Sequence, residues 1–239
     1  MNLSFFELKK IIEGRRSIRQ FTDEKVPAEV VENCLDLALL APNSSNLQPW
    51  EFYWVQDSEK KKKIATFCFN QKAASTAAEL IVIVARPDLW SRGQKINLDY
   101  FNQQPSSPQL EQVKKYYLKI VPLAYQTDPF GLLKLLKSLF AWGVGLFKPS
   151  YRGPFGVSGN LLWATKTTAL AAENLMLAIH ASGYDSCPME GFDQIRVKKL
   201  LQLPRSAAIV MIIGLGRAAE GGLYGPRIRG ARELFIKKV

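Results

Sequence analysis

The sequence has few of the residues from which metal centres and hydrolytic active sites are built. Among its 239 residues are one histidine and three cysteines. The cysteines (Cys34, Cys68 and Cys187) are too few and too scattered for a disulfide framework or a Cys-x-x-Cys metal site. A Ser-His-Asp or Cys-His catalytic group would have to use His180, which ends a helical pattern before Gly183 and is interpreted as structural. No metal is therefore expected.

Long uninterrupted apolar runs are also missing. No run reaches the roughly 18 to 20 residues that a membrane-spanning helix needs. Residues 1–10 carry charges in place of the apolar core of a signal peptide. We therefore expect a cytoplasmic protein.

Acidic residues are outnumbered by basic ones. The chain has 32 Lys and Arg against 21 Asp and Glu, for a formal net charge of +11. This excess suits phosphates, anionic cofactors, nucleic acid or acidic lipid as partners, and the charge alone does not choose among them. With 47% hydrophobic residues, the chain is too apolar for intrinsic disorder and can bury a sizeable core.

Helical and strand-like patterns alternate irregularly along the chain. The best central strand is Ala207–Ile213, and the longest helical pattern runs from Leu161 to Ser182. This mixture indicates an α+β or α/β fold. Shorter helices or strands are predicted at residues 5–14, 27–41, 51–55, 80–85 and 195–201.

Residues 86–156 give no clear overall pattern. They include an apolar stretch, Phe130–Phe147, in which Lys134 and Lys137 lie one helical turn apart. A basic amphipathic segment of this kind permits membrane-surface docking. We favour a lid over a binding site or a subunit contact for this stretch.

A glycine pair near the end of the chain partly fits a dinucleotide-binding motif. Gly214 and Gly216 follow the best strand, but Ala219 stands where the third glycine is expected. Only about 20 residues follow, too few for the βαβ unit that binds a dinucleotide. A Rossmann fold is therefore rejected.

Three arginines fall within five residues near the N-terminus. Arg15, Arg16 and Arg19 follow the first predicted helix. If Ile18 and Phe21 point inward, the arginines can project toward a shared anion. Alone, the pattern is weak, and a basic surface turn is its more common meaning.

A second cluster lies between residues 41 and 50. Pro42 and Pro49 fix a turn whose amide and hydroxyl side chains offer both hydrogen-bond donors and acceptors. Such a loop suits a heterocycle edge or sugar hydroxyls, and it also suits a plain helix-to-strand connector with Asx turns. The polar side chains of interest are Asn43, Ser44, Asn46 and Gln48.

A third cluster is divided between two places near the end of the chain. Residues 187–193 follow the long helix, and residues 225–230 follow the last strand. Arg227 and Arg229, spaced by two, share one face of an extended segment and can jointly bind a phosphate.

Together and in this order, the three clusters resemble the nitroreductase family of FMN-dependent oxidoreductases. The motifs are Arg-Arg-Ser-Ile-Arg-x-Phe, Ala-Pro-x-x-x-Asn-x-Gln-Pro-Trp and Pro-x-Glu-Gly-Phe-Asp. The resemblance covers residues from about 8 to 85 and about 160 to 230. It implies an α+β fold with a central, mostly antiparallel β-sheet flanked by helices, in an intertwined homodimer. It further implies one domain over residues 1–239, with a variable lid or interface insertion at about 86–156.

The resemblance also implies how a flavin phosphate is held. Arg15 would contact the FMN phosphate, and Arg227 and Arg229 would complete the site from the far end of the chain. Arg16 and Ser17 would hold ribityl and phosphate oxygens.

Other residues would contact the flavin ring. By the same resemblance, Arg19 and Asn70 lie at the pyrimidine edge. Many relatives have a lysine three residues after this asparagine, where this chain has Ala73 and an adjacent Lys72. The loop Pro42–Gln48 would reach the cofactor from the second subunit.

The flavin face is assigned to a segment that follows the long helix. The resemblance places Pro188, Met189, Glu190 and Gly191 along this face, with a backbone N–H of the Glu190-Gly191 turn toward N5. No side chain is expected to be catalytic, because hydride acceptance is the chemistry of the flavin itself. Fixed arginines would hold the phosphate and stabilise the negative charge that develops on reduction.

The resulting hypothesis is ping-pong turnover, in which NAD(P)H reduces FMN and an acceptor such as a nitroaromatic or quinone then takes the electrons. Relatives of the same fold that act as dehalogenases, enone reductases or flavin-fragmenting enzymes are the enzymatic alternatives. A basic, non-catalytic module that docks on a membrane or nucleic acid is the alternative from another class. Because no recognisable nucleic-acid motif is present, no nucleic-acid partner is expected.

Overall fold

Four strands form one antiparallel sheet in the order β1-β2-β4-β3 in the computed structural model, which describes residues 3–239. Every neighbouring pair of strands is antiparallel. With helices on both sides of the sheet, this confirms the predicted α+β class. The strands are β1 (Trp50–Val55), β2 (Glu79–Ala85), β3 (Asp185–Met189) and β4 (Ala208–Gly216).

Helices supply the rest of the regular structure. The predicted positions of the N-terminal helices are confirmed, whereas the long helix begins at Gly156, earlier than its apolar pattern indicates. The helices are α1 (Leu3–Gly14), α2 (Ala28–Leu39), α3 (Ser58–Phe67), α4 (Lys72–Ser75), α5 (Trp90–Asn102), α6 (Pro108–Lys115), α7 (Val121–Tyr125), α8 (Leu132–Gly145), α9 (Gly156–Ala181), α10 (Gln194–Leu200) and α11 (Arg232–Phe235).

The side chains of β2 alternate between two hydrophobic clusters, one on each face of the sheet. Leu80, Val82 and Val84 pack in a cluster with residues of α3 and α10. Ile81 and Ile83 pack in a second cluster with residues of α2 and α9. Burial on both faces explains why this strand reads as one continuous apolar run.

The segment after α1 is anchored to the sheet by its apolar side chains. Ile18 and Phe21 are buried, which meets the condition under which the neighbouring arginines can project toward a shared anion. The backbone N–H of Ile18 donates to the carbonyl of Ser186 at 3.1 Å, and that of Phe21 donates to the Thr76 hydroxyl at 3.0 Å. This anchoring fixes the backbone from which the arginines project.

Residues 86–156 are mostly helical, although their sequence gives no clear overall pattern. They comprise a short 3₁₀ turn at Pro87–Leu89, the helices α5 to α8, and a π-helical turn at Tyr116–Ile120 between α6 and α7. Within residues 3–239, no helix combines the length and the apolarity needed to cross a bilayer.

Candidate functional site

Arginines from both ends of the chain line one cleft of about 520 Å³. No acidic side chain is among the described residues that line it, so its charge is strongly positive. The structure therefore brings together the residues predicted for the phosphate site, which are Arg15, Arg16, Ser17, Arg227 and Arg229. Arg19, predicted at the pyrimidine edge of the flavin, lines the same cleft.

The end of α1 lies close to the side chain of His180. A Cβ atom on Gly14 would lie 2.5 Å from Nε2 of His180, so a larger residue would displace the imidazole. The imidazole Nδ1 lies 3.8 Å from Oδ1 of Asp185. His180 is thus a packing residue outside the cleft, which agrees with its structural interpretation.

The C-terminal segment is tied to the N-terminal one by arginine side chains. The Arg227 guanidinium donates to the backbone carbonyls of Ile12 and Arg15. Arg16 donates in return to the carbonyl of Gly225 at 2.6 Å. In this structure Arg227 therefore joins the two ends of the chain, while Arg229 extends into solvent beside them.

One nitrogen of the cleft is buried without a hydrogen-bond partner. It is Nη1 of the half-buried Arg15, which remains charged because a guanidinium does not lose its proton in proteins. An unpaired buried cation is costly, and an anion in the cleft that Arg15 lines would supply the opposite charge. The donor set, made of guanidinium groups and the hydroxyls of Ser17 and Tyr224, fits the oxygens of a phosphate.

A second depression, of about 380 Å³, adjoins the cleft and shares Arg19 and Tyr224 with it. The guanidinium carbon of Arg19 lies 5.2 Å from the centroid of the Tyr224 ring. Burial raises the pKa of the Cys187 thiol in its wall, although Arg19 and Arg15 oppose part of that rise. Of the predicted flavin-face residues, Pro188, Met189 and Glu190 line this depression.

Gln71 and Lys72 line this depression, and the sequence analysis did not assign either of them a role. The Gln71 amide donates to the carbonyl of Gly191 at 2.7 Å, and Nζ of Lys72 donates to Oε1 of Gln20 at 3.1 Å. Ala73, at the position of the family lysine, is buried in the core. Lys72 therefore supplies a cation one residue before the position at which the family resemblance implies a lysine.

Asn70 does not line either depression. It lies in a separate hollow with residues of α3, because Phe69 and Asn70 both adopt left-handed backbone conformations, with φ of 58° and 53°. These two residues turn the chain so that the next two side chains face the site. The predicted contact between Asn70 and a flavin edge stays a prediction. In the structure Gln71 lines the depression instead of Asn70, and its place next to Asn70 was the only feature of the sequence that pointed to it.

The loop Pro42–Gln48 lies away from the arginine cleft of its own chain. Ser45, Asn46 and Gln48 have positive φ values of 56°, 46° and 47°. Asn43 caps the loop internally, since its Oδ1 accepts from the backbone N–H of Gln48 at 2.8 Å. The structure therefore forms the predicted polar loop but does not join Pro42, Asn43, Ser44, Asn46 and Gln48 to the arginines.

The loop is held from behind by residues of the 86–156 segment. Nδ2 of Asn97 donates to the carbonyl of Asn46 at 2.8 Å, and Nδ2 of Asn46 donates to Oδ1 of Asn97 at 2.9 Å. Tyr116 and Tyr117 hydrogen-bond to Ser45. Sequence analysis missed these supporting side chains, because nothing in their spacing relates them to a loop about 50 to 70 residues earlier.

Known proteins are similar to this chain in sequence, and solved structures share its fold. The nitroreductase family model matches residues 12–217. The NADH dehydrogenase of Thermus thermophilus is 27% identical over 215 residues, 90% of this chain and 88% of its own. The Bacillus subtilis protein named "Putative NAD(P)H nitroreductase YdgI" is 28% identical over 225 residues, 93% of each chain.

A solved structure of an Exiguobacterium sibiricum protein in complex with FMN shares the fold with a TM-score of 0.70. Its sequence is 22% identical to this one, and the match covers 97% of both chains. The family model spans most of the chain, including both the arginine segment and the end of β4. The chain belongs to the nitroreductase family.

Proposed function

We propose that this protein is an FMN-dependent oxidoreductase that uses NAD(P)H to reduce small acceptors, such as nitroaromatics or quinones, by a ping-pong mechanism. The observation that carries the proposal is the buried, unpartnered Nη1 of Arg15 in a cleft without acidic side chains. The FMN complex of a protein with the same fold and the names of the two relatives support it.

The arginine cleft would bind the phosphate of the cofactor. Arg15 and Arg229 would donate to its oxygens, with Arg16 and Ser17 beside them, and Arg227 would hold the two chain ends in place. Guanidinium groups suit this task, because they keep their charge and match phosphate oxygens in pairs. The adjoining depression would take the ring.

The ring site supplies positive charge and backbone groups instead of a titrating side chain. When bound, FMN supplies the hydride and electron-transfer chemistry itself. Arg19 and Lys72 would stabilise negative charge at the pyrimidine edge, and the Glu190-Gly191 backbone would face the reactive centre. Gln71 would orient that backbone through its bond to the Gly191 carbonyl.

The complete site would need a second copy of the chain. The polar side chains of the loop Pro42–Gln48 do not line the arginine cleft of their own chain. The family resemblance nevertheless implies that this loop contacts the cofactor. A homodimer would bring the loop of one copy to the cleft of the other. Residues 86–156 would then act as an insertion in a single domain, and the part of it before α8 would support the loop and cover the site.

The same proposal places the enzyme in the cytoplasm, where NAD(P)H is available. The decisive experiment is to identify the small molecule that heat releases from the purified protein by mass and visible spectrum. We expect FMN, and we expect anaerobic NADH or NADPH to bleach the bound flavin. Protein that is colourless, and stays so after incubation with FMN, would refute the proposal.

A further inference from the structure

Helix α8 presents an apolar face to solvent. At about 100° per residue, its exposed apolar side chains fall within an arc of about 160°. Ala141, only 5% exposed, lies on the opposite side and packs toward the protein. The outward side chains are Leu132, Leu135, Leu136, Leu139, Phe140 and Trp142.

The apolar face continues past both ends of the helix. Phe130 precedes α8, and Leu146 and Phe147 follow it, all three largely exposed. We call these residues together with the outward face of the helix the α8 surface. A contiguous exposed apolar area of this kind is typical of a binding surface, because the exposed apolar residues of soluble proteins usually lie apart from one another.

Basic residues outnumber acidic ones around the α8 surface. Residues 128–172 contain five basic residues and one acidic residue, Asp128, whose carboxylate accepts from backbone N–H groups at the start of α8. Arg152 extends back over the helix, with its guanidinium carbon 4.9 Å from the centroid of the Trp142 ring. The basic residues are Lys134, Lys137, Lys148, Arg152 and Lys166.

We propose that the α8 surface docks this protein on anionic lipid bilayers. The helix has 14 residues, or about 21 Å, and is therefore too short to cross the hydrocarbon layer and would lie in the plane of the interface. Its Leu, Phe and Trp side chains would enter the boundary between headgroups and acyl chains. The exposed cations Lys148 and Arg152 would contact anionic headgroups.

The charge pattern selects a bilayer over a second copy of the same surface. A two-fold contact of the α8 surface with itself would set the basic residues of one chain beside those of the other. Such like-charge contacts disfavour association, whereas a negatively charged membrane complements them. The proposal does not depend on flavin binding or on the proposed reaction.

The test is co-sedimentation of the full-length protein with vesicles. We expect binding to vesicles of equal parts phosphatidylcholine and phosphatidylglycerol, weaker binding at high salt, and little binding to phosphatidylcholine alone. Phe140→Glu should weaken binding about tenfold to a hundredfold, since burying one Phe side chain changes an equilibrium constant by that much. Ile195→Glu, in α10 and at a similarly exposed position, is the matched control and should bind normally.

Charge and position are separated by further variants. Lys148→Gln should reduce binding to the anionic vesicles, and Lys63→Gln, exposed in α3, should not. Vesicles should shift the tryptophan emission of the protein to shorter wavelength. This shift should disappear in Trp142→Phe, and its disappearance would show that α8 itself enters the interface.

Several results would overturn the proposal. Equal binding to both vesicle types would show that the protein does not select anionic lipid. Full binding by Phe140→Glu would show that α8 does not contact the bilayer. A lower molecular mass of Phe140→Glu than of the unaltered protein in solution would show that a second copy covers the surface. Circular dichroism of each variant identifies any loss of fold. If Phe140→Glu does not fold, the tryptophan emission of Trp142→Phe still tests whether α8 enters the bilayer.

Discussion

The hydroxyl of Tyr117 donates a hydrogen bond to the backbone carbonyl of Ser45 at 2.9 Å. Tyr117 is buried at a π-helical turn, and Ser45 has a positive φ in the loop that is proposed to reach the cofactor of a second copy. The preceding residue, Tyr116, places its hydroxyl 2.6 Å from the Ser45 hydroxyl. Two consecutive residues thus hold one strained loop residue, which links the 86–156 segment to the loop.

Tyr117→Phe should loosen this loop. The change removes one hydrogen bond, so we expect the free energy of unfolding to fall by about 0.5 to 1.5 kcal/mol, as measured by urea denaturation. The exposed Tyr100, changed to Phe, is the control and should leave stability nearly unaltered. An unchanged unfolding midpoint in Tyr117→Phe would mean that the loop does not need this bond.

Gly93→Ala should displace the same loop from α5. A Cβ atom at position 93 would lie 2.1 Å from the carbonyl oxygen of Leu47, so the helix and loop must separate. Overpacking of this kind costs about 1 to 3 kcal/mol of stability, measurable by thermal or denaturant unfolding. Gly143→Ala, in α8 with nothing within 4 Å of the new methyl group, should instead be neutral or slightly stabilising. Equal effects of the two changes would contradict this account.

Arg15→Ala and Arg229→Ala should each weaken FMN binding about tenfold to a hundredfold. A charge-assisted hydrogen bond to a phosphate contributes about 1.5 to 3 kcal/mol. Fluorescence titration of the flavin-free protein measures the dissociation constant. Arg205→Ala, an exposed arginine outside the cleft, should bind FMN normally. Unaltered cofactor occupancy in both cleft variants would show that the phosphate lies elsewhere.

Mixed dimers should recover activity from two inactive chains. If one copy supplies the arginines and the other supplies the loop, Arg15→Ala and a double variant, Asn46→Ala with Gln48→Ala, damage different halves of each site. Refolding the two together should restore part of the NAD(P)H-dependent activity, because some dimers contain one intact site. Each variant refolded alone is the control. Absence of any recovery, with dimers formed, would place the loop and the arginines of one site in the same chain.

Stability should decline at high pH through Cys68. Burial raises the pKa of this thiol from its ordinary value of 9.0 to about 11. The folded state therefore favours the neutral thiol, and this contribution is complete below pH 9.0 and is lost as the pH rises toward about 11. Other groups titrate there, so the measurement is the difference in unfolding free energy between the protein and Cys68→Ala across this range. A difference that does not change with pH would contradict the shifted pKa.

The sequence by itself determined the local elements and the positions of the basic side chains. The apolar run of β2 and the approximate place of α10 were readable from spacing and residue type, and Ile18 and Phe21 were candidates for inward positions. These features depend on neighbours a few residues away, which periodicity and capping patterns record directly.

Tertiary structure alone decided which distant residues meet. Spacing does not show that Arg227 donates to the carbonyl of Arg15, or that Tyr117 supports Ser45, because such contacts depend on how the sheet and helices pack. It also does not show that left-handed backbone at Asn70 turns Gln71 toward Gly191. Side-chain direction after a turn is set by backbone angles and packing, and the one-dimensional pattern contains neither.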